Sequence, residues 1–261
     1  MKLAMTIIIC ALLFAAPTGA AIAQEKQQPA KAPEAAAKTT TADPTVDQIL
    51  DKFEQAIGGR QAVEKITSRV VTGTFEASTM GLKGEIEIYV KAPNKTLRIQ
   101  RISGVGEILD GYDGKIGWSQ NPMVGLREKS GVELAAIARS SDIHAPIKTR
   151  QLYSKLEFKG KEKVGNRETY IILATPAEGA PVKMYFDTQT GLMARIDTDL
   201  EIPEGRFHIE TTMDDYREVD GVKIAFTVRQ ESSVSSAVIK LTEVKHNVAI
   251  DDAKFNKPSG Q

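Results

Sequence analysis

The side chains best suited to chemistry are scattered along this chain. The three histidines, His144, His208 and His246, form no His-x-His or His-Glu-x-x-His pair, and no cysteine lies near them to complete a metal site. The sequence also contains no Gly-x-Ser-x-Gly elbow and no phosphate-binding loop. These patterns favour a protein that is not an enzyme and needs no metal or other cofactor.

Carboxylate pairs are the remaining candidates for acid/base chemistry. Three pairs are close in sequence: Glu85 with Glu87, Asp214 with Asp215, and Asp251 with Asp252. The first pair falls on the polar face of a predicted strand, and the members of the other two point in opposite directions if the chain is extended. We therefore expect no shared acid/base site.

Strand and turn signals fill most of the chain from residue 69 to residue 248. Asp220-Gly221 is the clearest hairpin turn, because a two-residue Asp-Gly loop supplies the positive φ angles that a tight turn needs. Twelve strands are predicted, at about 68–78, 82–92, 95–103, 105–112, 115–120, 155–164, 167–175, 181–187, 191–199, 207–219, 221–231 and 235–247. Strand twist accumulates, so such a sheet is expected to curl. The predicted fold is mostly β with helices (α+β): an unclosed, strongly curved antiparallel β-barrel of about 11–12 strands.

Several of these strands alternate between apolar and polar side chains, which predicts one dry face and one wet face. The dry face needs a cover, because an exposed apolar patch of this extent favours aggregation. The residues predicted to line an apolar cavity are Ile86, Ile88, Leu97, Ile99, Trp118, Leu134, Ile137, Met184, Phe186 and Phe226. Trp118 is equally compatible with the mouth of the cavity and with ordinary core.

Two helical regions are available as cover. Asp43-Pro44 or a Thr45/Gln48 capping box starts a helix that ends at Gly58-Gly59. Between residues 130 and 152 a capping box, Ser130 with Glu133, precedes a helix with small apolar side chains, and a short second helix is expected to end near residue 152. Small side chains pack shallowly, which suits a lid that moves, although such a helix is as often a fixed element. His144 lies within this region. It is interpreted either as a residue that hydrogen-bonds the free backbone groups at a helix end or as a pH-sensitive latch.

The N-terminus reads as an export signal. Lys2 precedes an apolar stretch, and Ala21-Ile22-Ala23 predicts cleavage after Ala23, which removes residues 1–23 together with Cys10. The stretch is too short for a membrane span, so we expect a soluble periplasmic protein without a stable membrane span after cleavage. Residues 24–42 lack apolar periodicity and predict a disordered spacer before a folded domain at 43–257.

Charge is nearly balanced, with 34 basic and 34 acidic residues in the full chain. No basic patch stands out, so nucleic acid is not an expected partner.

Three turn motifs occur in an order that resembles the LolA/LolB-like lipoprotein carriers, the outer-membrane lipoprotein-sorting superfamily. They are Tyr112-Asp113-Gly114-Lys115-Ile116-Gly117-Trp118, Tyr185-Phe186-Asp187-Thr188-Gln189-Thr190-Gly191-Leu192 and Asp215-Tyr216-Arg217-Glu218-Val219-Asp220-Gly221-Val222-Lys223. The resemblance implies an unclosed barrel with helices in its mouth that carries lipid or lipoprotein acyl chains across the periplasm, between donor and acceptor proteins of the inner and outer membranes. It also implies a strand arginine that holds the lid through helix carbonyls, for which Arg69, Arg98 and Arg101 are possible equivalents that no motif distinguishes.

Two hypotheses follow from these observations. The first is binding and transfer of lipid or lipoprotein acyl chains through a hydrophobic cavity gated by a helical lid. The alternative is an envelope sensor or protein-interaction module on the same fold, because one fold can serve unrelated functions.

Overall fold

A computed structural model describes residues 43–202 and 205–259. The predicted signal at 1–23, its cleavage site and the spacer at 24–42 lie outside the described residues.

The described chain forms a single antiparallel sheet of 13 strands in the order β6-β5-β4-β3-β2-β1-β13-β12-β11-β10-β9-β8-β7. The strands are β1 (Ser68–Ala77), β2 (Leu82–Lys91), β3 (Lys95–Ile102), β4 (Gly106–Tyr112), β5 (Gly117–Asn121), β6 (Gly125–Glu128), β7 (Lys155–Val164), β8 (Arg167–Thr175), β9 (Val182–Asp187), β10 (Met193–Ile202), β11 (Gly205–Val219), β12 (Val222–Ser232) and β13 (Ser236–His246). The sheet is unclosed and curved, with few helices, so the predicted architecture is confirmed.

The strand count differs from the prediction by one. Strand β6 pairs with β5, with Trp118 opposite Glu128 and Asn121 opposite Gly125. Its four residues are too few to show an alternating pattern, and Pro122 in the preceding turn interrupts the apolar signal. The predicted hairpin at Asp220-Gly221 is present, with φ angles of 51° and 78°.

Helices occupy a small part of the described chain: α1 (Val46–Ala56), α2 (Arg60–Glu64), α3 (Gly131–Ser140) and α4 (Thr149–Leu152), with 3₁₀ turns at Ser78–Met80, Ala145–Ile147 and Asp252–Phe255. No helix in residues 43–202 and 205–259 is long and apolar enough to span a membrane.

Helix α1 packs on one face of the sheet, which we call the helix face. Thr45 caps the helix through a capping box with Gln48, one of the two predicted starts. Ile49, Leu50 and Phe53 are buried against β8 and β9, where the ring of Phe53 meets that of Phe186 edge-on at 5.3 Å. This contact fixes α1 over the β7–β10 half of the sheet.

The C-terminal segment packs on the opposite face. Phe255 is completely buried, and its carbonyl oxygen accepts a 3.0 Å hydrogen bond from Trp118 Nε1. Lys91 anchors the same segment by donating to the Ile250 carbonyl at 2.7 Å and to Asp252 at 2.7 Å. The two faces of the sheet are therefore covered by different parts of the chain.

The helices from α3 to α4 connect the two edge strands of the sheet. Strand β6 forms one edge and β7 the other, and residues 129–154 run between them. We call these residues the bridging segment. Because the sheet is curved and unclosed, a connection between its two edges has to pass over the opening between them.

Candidate ligand-binding site

The helix face carries a broad apolar surface on the half of the sheet away from α1. Two clusters form it, and no residue of a helix belongs to either in the described chain. The first contains Val71, Ile88, Val219, Ile224, Phe226, Leu241 and Val244, and the second contains Phe75, Ala77, Leu82, Ile102, Val105, Ile108, Ala237 and Ile239. We call the two together the apolar surface.

The register of the strands shows which predicted residues share this face. Ile88 lies opposite Arg98, and Arg98 lies opposite Asp110, so these side chains point to the same side. Leu97, the neighbour of Arg98 in sequence, therefore points to the other side.

The ten residues predicted to line one cavity consequently separate into two groups. Ile86, Ile88, Met184, Phe186 and Phe226 lie on the helix face, and Leu134 and Ile137 lie above it on α3. Leu97, Ile99 and Trp118 pack instead on the opposite face, under the C-terminal segment with Ile250 and Phe255. Of the two readings of Trp118, ordinary core is therefore correct, with 1% of the residue exposed.

Met184 and Phe186 are on the helix face but are already covered. Both belong to the cluster that packs against α1, together with Leu50 and Phe53. Ile88 and Phe226, by contrast, belong to the apolar surface, whose clusters contain no described helix residue. The part of the predicted wall that does not pack against α1 is therefore centred on β1, β2, β12 and β13.

Helix α3 lies against the sheet without a firm apolar anchor. None of its residues is buried, and Val132 is 57% exposed. Its closest approach is at Gly117 on β5: a Cβ added there would lie 3.1 Å from Leu134 Cδ1 and 3.1 Å from Ile137 Cγ2. Leu134 and Ile137 thus pack against Gly117, and they fit there because glycine has no side chain.

Charged contacts hold the N-terminal end of α3. Glu133 accepts hydrogen bonds from Arg127 at 2.6 and 2.7 Å and from Lys129 at 3.0 Å. Burial raises the pKa of Glu133, but the hydrogen bonds from Arg127 and Lys129 outweigh this effect and lower the pKa to about 2. The predicted capping box is wrong, because the Ser130 side chain makes no capping bond and Glu133 turns to these cations instead.

The charged contacts continue from α3 to the strands beneath it. Lys129 has a side chain that is 5% exposed, with Nζ 3.0 Å from both Asp110 Oδ1 and Glu133 Oε1. Asp110 also accepts from Arg98 at 3.2 Å. Burial lowers the pKa of Lys129, but the two carboxylates outweigh it and leave the pKa raised. Arg98 thus reaches α3 through two intermediate charges and not through helix carbonyls.

Polar contacts hold the C-terminal end of the bridging segment. His144 Nε2 lies 2.9 Å from the carbonyl oxygen of Ile66, in the link between α2 and β1, so its partner is a loop carbonyl and not a helix end. The Ile143 amide donates to the Pro93 carbonyl at 3.3 Å, and Arg60 donates to the Ile147 carbonyl at 3.2 Å. The arginine that meets a carbonyl of this segment is therefore on α2, not on a strand.

The two candidate arginines on the helix face, Arg98 and Arg69, have different partners. Arg98 has the carboxylate of Asp110, as described above. Arg69 on β1 donates from Nε to His246 Nε2 at 3.0 Å, and His246 Nδ1 lies 3.2 Å from Asp220 Oδ2. The third candidate, Arg101, binds Glu87 and Glu107 on the opposite face. Sequence reasoning missed the Arg69–His246 contact because the two residues are 177 positions apart.

The opposite face has a polar cluster of its own. Arg195 binds Asp197 through two hydrogen bonds of 2.6 and 2.7 Å, and Tyr185 donates to the same carboxylate at 2.7 Å. Burial and this hydrogen bond raise the pKa of Tyr185. An open depression of about 450 Å³ lies beside Arg195, and another of about 560 Å³ is lined by Lys83 and Lys240. Both depressions are open and include several charged side chains, so they are poor candidates for an apolar ligand.

No group of three or more His, Cys, Asp or Glu side chains in the described residues is arranged to hold a metal ion. The predicted carboxylate pairs also stay apart in their roles. Glu87, for example, accepts from Tyr89 at 2.6 Å and from Arg101, and these bonds lower its pKa.

Comparison with known proteins identifies the fold. No protein-family model matches the chain, and no curated protein matches it. A DUF1329 family protein from Desulfovibrio piger superposes with a TM-score of 0.57 and 18% identity, covering 81% of this chain and 97% of that one. A putative outer membrane lipoprotein-sorting protein domain from Vibrio parahaemolyticus gives a TM-score of 0.55 and 10% identity (82% and 98%). A LolA superfamily protein from Nitrosomonas europaea gives 0.54 and 14% (82% and 99%). The fold is therefore LolA-like.

Proposed function

We propose that this protein binds a lipid, or the acyl chains of a lipoprotein, on the apolar surface of the helix face and releases it when the bridging segment moves. One observation carries the proposal: no helix residue of the described chain belongs to the clusters of the apolar surface, while α3, which packs on the same face at Gly117, has no buried residue. Ligand sites are lined mainly by apolar side chains, and the apolar surface provides such a lining. The bridging segment is the lid of this proposal.

The driving force is the transfer of acyl chain from water. Each buried methylene contributes roughly 0.8 kcal/mol. A chain of sixteen carbons would therefore contribute on the order of 10 kcal/mol before the costs of association are subtracted. Such a ligand needs few polar contacts for useful affinity, which agrees with the composition of the apolar surface.

Release requires a way to uncover the ligand. The lid is held at α3 mainly by Glu133 with Arg127 and Lys129, and ion pairs near the surface each contribute little, about 0–1 kcal/mol. The apolar contacts of α3 at Gly117 are shallow. Docking to an acceptor protein could shift such an equilibrium towards an open state, provided that the acceptor binds the open form better.

A reversible tether between α3 and the sheet tests this proposal. Gly117→Cys combined with Leu134→Cys places two thiols at the closest contact between α3 and β5, and the described residues contain no cysteine that would compete. The protein should be purified without detergent, and its bound lipid identified by mass spectrometry before and after solvent extraction. Transfer to acceptor vesicles is then measured in the oxidised and reduced forms.

We expect the oxidised form to retain lipid without transferring it, and reduction to restore transfer. The matched control is the Leu134→Cys single variant, which has the same altered lid but no tether. Equal transfer by both redox forms, with the crosslink verified by mass, would refute a gated carrier. Absence of any bound or exchangeable lipid would favour the alternative of a sensor or interaction module.

Export and maturation are part of the same proposal. If Ala21-Ile22-Ala23 directs cleavage, the mature protein begins at Gln24 and carries no lipid of its own. The intact mass of protein recovered from the periplasm measures this directly. A mass that retains residues 1–23, or one that includes a diacylglyceryl group on Cys10, would contradict it.

A further inference from the structure

Arg69 and Arg139 differ from the other arginines whose side chains the structure describes in having no counter-ion. Among the arginine side chains that the structure describes, all but Arg69 and Arg139 form an ion pair with a carboxylate. Arg139 lies over the ring of Tyr153, 5.4 Å from its centroid. Arg69 is half-buried, and its recorded partner is the neutral acceptor His246.

The contact with His246 also fixes the state of the imidazole. A guanidinium Nε always carries a proton, so His246 Nε2 has to accept, and the ring proton is then on Nδ1, facing Asp220 at 3.2 Å. The His246 side chain has no exposed surface. Burial and the nearby charge of Arg69 lower the pKa of His246, which keeps the ring neutral. Arg69 is thus held in place by a group that does not neutralise it.

This arrangement leaves an uncompensated charge beside apolar surface. Burial lowers the pKa of Arg69 to about 10, so the guanidinium is still charged at neutral pH. The two terminal nitrogens make no hydrogen bond to any described residue, since the recorded bond of Arg69 is made by Nε. A partly desolvated charge without a partner is costly, and an anionic ligand with two oxygens matches the donor geometry of a guanidinium.

Position on the sheet links this charge to the apolar surface. Arg69 lies opposite Val90 and His246, and the next residues on the same face are Val71 with its partners Ile88 and Val244. From Arg69 to Phe75 the strand advances about 20 Å along the apolar surface. Arg69 therefore places a charged group at one end of the apolar surface.

We infer that Arg69 binds the anionic head group of an amphiphile whose hydrocarbon chain lies along the apolar surface. This inference rests on the proposed function and specifies its ligand class: a carboxylate or phosphate head group on an acyl chain, as opposed to a neutral lipid. Binding pairs the two head-group oxygens with the terminal nitrogens of Arg69 while His246 keeps the guanidinium oriented.

Paired probes test the inference. Binding of cis-parinaric acid is compared with that of its methyl ester, which has the same chain without the charge. In wild type we expect the acid to bind about ten- to a hundredfold more tightly, the usual range for a charge-assisted hydrogen bond. Arg69→Met should remove this preference without changing the affinity for the ester. Displacement of the probe by palmitate or by lysophosphatidic acid then distinguishes a carboxylate from a phosphate ligand.

Arg98→Met is the matched control. Arg98 is on the same face but is paired with Asp110, so its removal should leave the preference for the acid intact. Equal affinity of wild type for acid and ester would overturn the inference while leaving the proposed function standing, and this measurement does not depend on the folding of any variant. Equal losses for both probes in a folded Arg69→Met protein would also overturn it. Binding of neither probe to wild type would refute the proposed function itself.

Discussion

Replacing Glu133 by glutamine is expected to loosen the lid without unfolding the sheet. The glutamine keeps the size of the side chain but removes the charge that Arg127 and Lys129 share. The lowered pKa of Glu133 reports a favourable interaction, but the side chain is 37% exposed, so solvent screening reduces its contribution to about 1 kcal/mol. Lys129 is nearly buried and keeps Asp110 as a partner, which limits the additional cost of leaving it with one carboxylate.

A total loss of about 1–2 kcal/mol predicts a change of roughly five- to thirtyfold in the closed-to-open equilibrium of α3. Native-state hydrogen exchange of the amides in residues 134–141 measures this change, because local opening is detected separately from global unfolding. The denaturation midpoint of the whole protein should move much less. Release of a bound fluorescent fatty acid should become faster in the same proportion.

Glu128→Gln provides the control for this experiment. Glu128 is on β6, beside Arg127, and like Glu133 it binds a lysine, Lys257, but no contact in the described chain joins it to α3. It should leave exchange in residues 134–141 unchanged. Unchanged exchange in Glu133→Gln would refute the role of these contacts in holding α3, as would an increase spread evenly over the sheet.

Three further predictions concern the two faces and their pH response. Phe226→Ala, at a position 6% exposed on the helix face, should cost about 3–5 kcal/mol and also weaken uptake of a fluorescent fatty acid; unchanged uptake by the folded variant would exclude this part of the wall. Phe255→Ala, at a fully buried position on the opposite face, should cost a similar amount by chemical denaturation but leave uptake per folded molecule intact, and a loss of uptake would contradict the assignment of faces. Because the folded-state pKa of His246 is lowered, the unfolded chain binds a proton first, near pH 6.5, so stability should fall as pH drops from about 6.5 to the lower folded-state value. His246→Asn should reduce this slope in pH-dependent denaturation; equal slopes in wild type and His246→Asn would count against the buried neutral ring.

Much of the architecture could be predicted from local patterns. The Asp220-Gly221 hairpin and the Thr45/Gln48 cap depend on backbone geometry that a few neighbouring residues determine. Alternation within a strand likewise predicted which residues of that strand share a face, as for Ile86 and Ile88. Strand β6 was not predicted because its four residues are too few to show an alternating pattern.

Which side chains of different strands share a face of the sheet could not be predicted in the same way. Alternation predicts that Leu97 and Ile99 share a face but not which face, because a shift of one residue in register reverses the whole strand. Because Ile88 pairs with Arg98, both Leu97 and Ile99 point away from the helix face. The prediction of a single wall was wrong at this step, and of the two interpretations of Trp118 ordinary core was the correct one.

The sequence by itself determined most of the elements: where most strands and helices lie, which turns join them, and which residues of one strand share a face. These properties depend on contacts between residues a few positions apart. The tertiary structure alone decided which residues meet across the sheet. It joined Arg69 to His246, placed α3 against Gly117 of β5 and moved three predicted cavity residues under the C-terminal segment. Such contacts depend on register and curvature, which arise from the packing of the whole sheet and leave no local pattern in the chain.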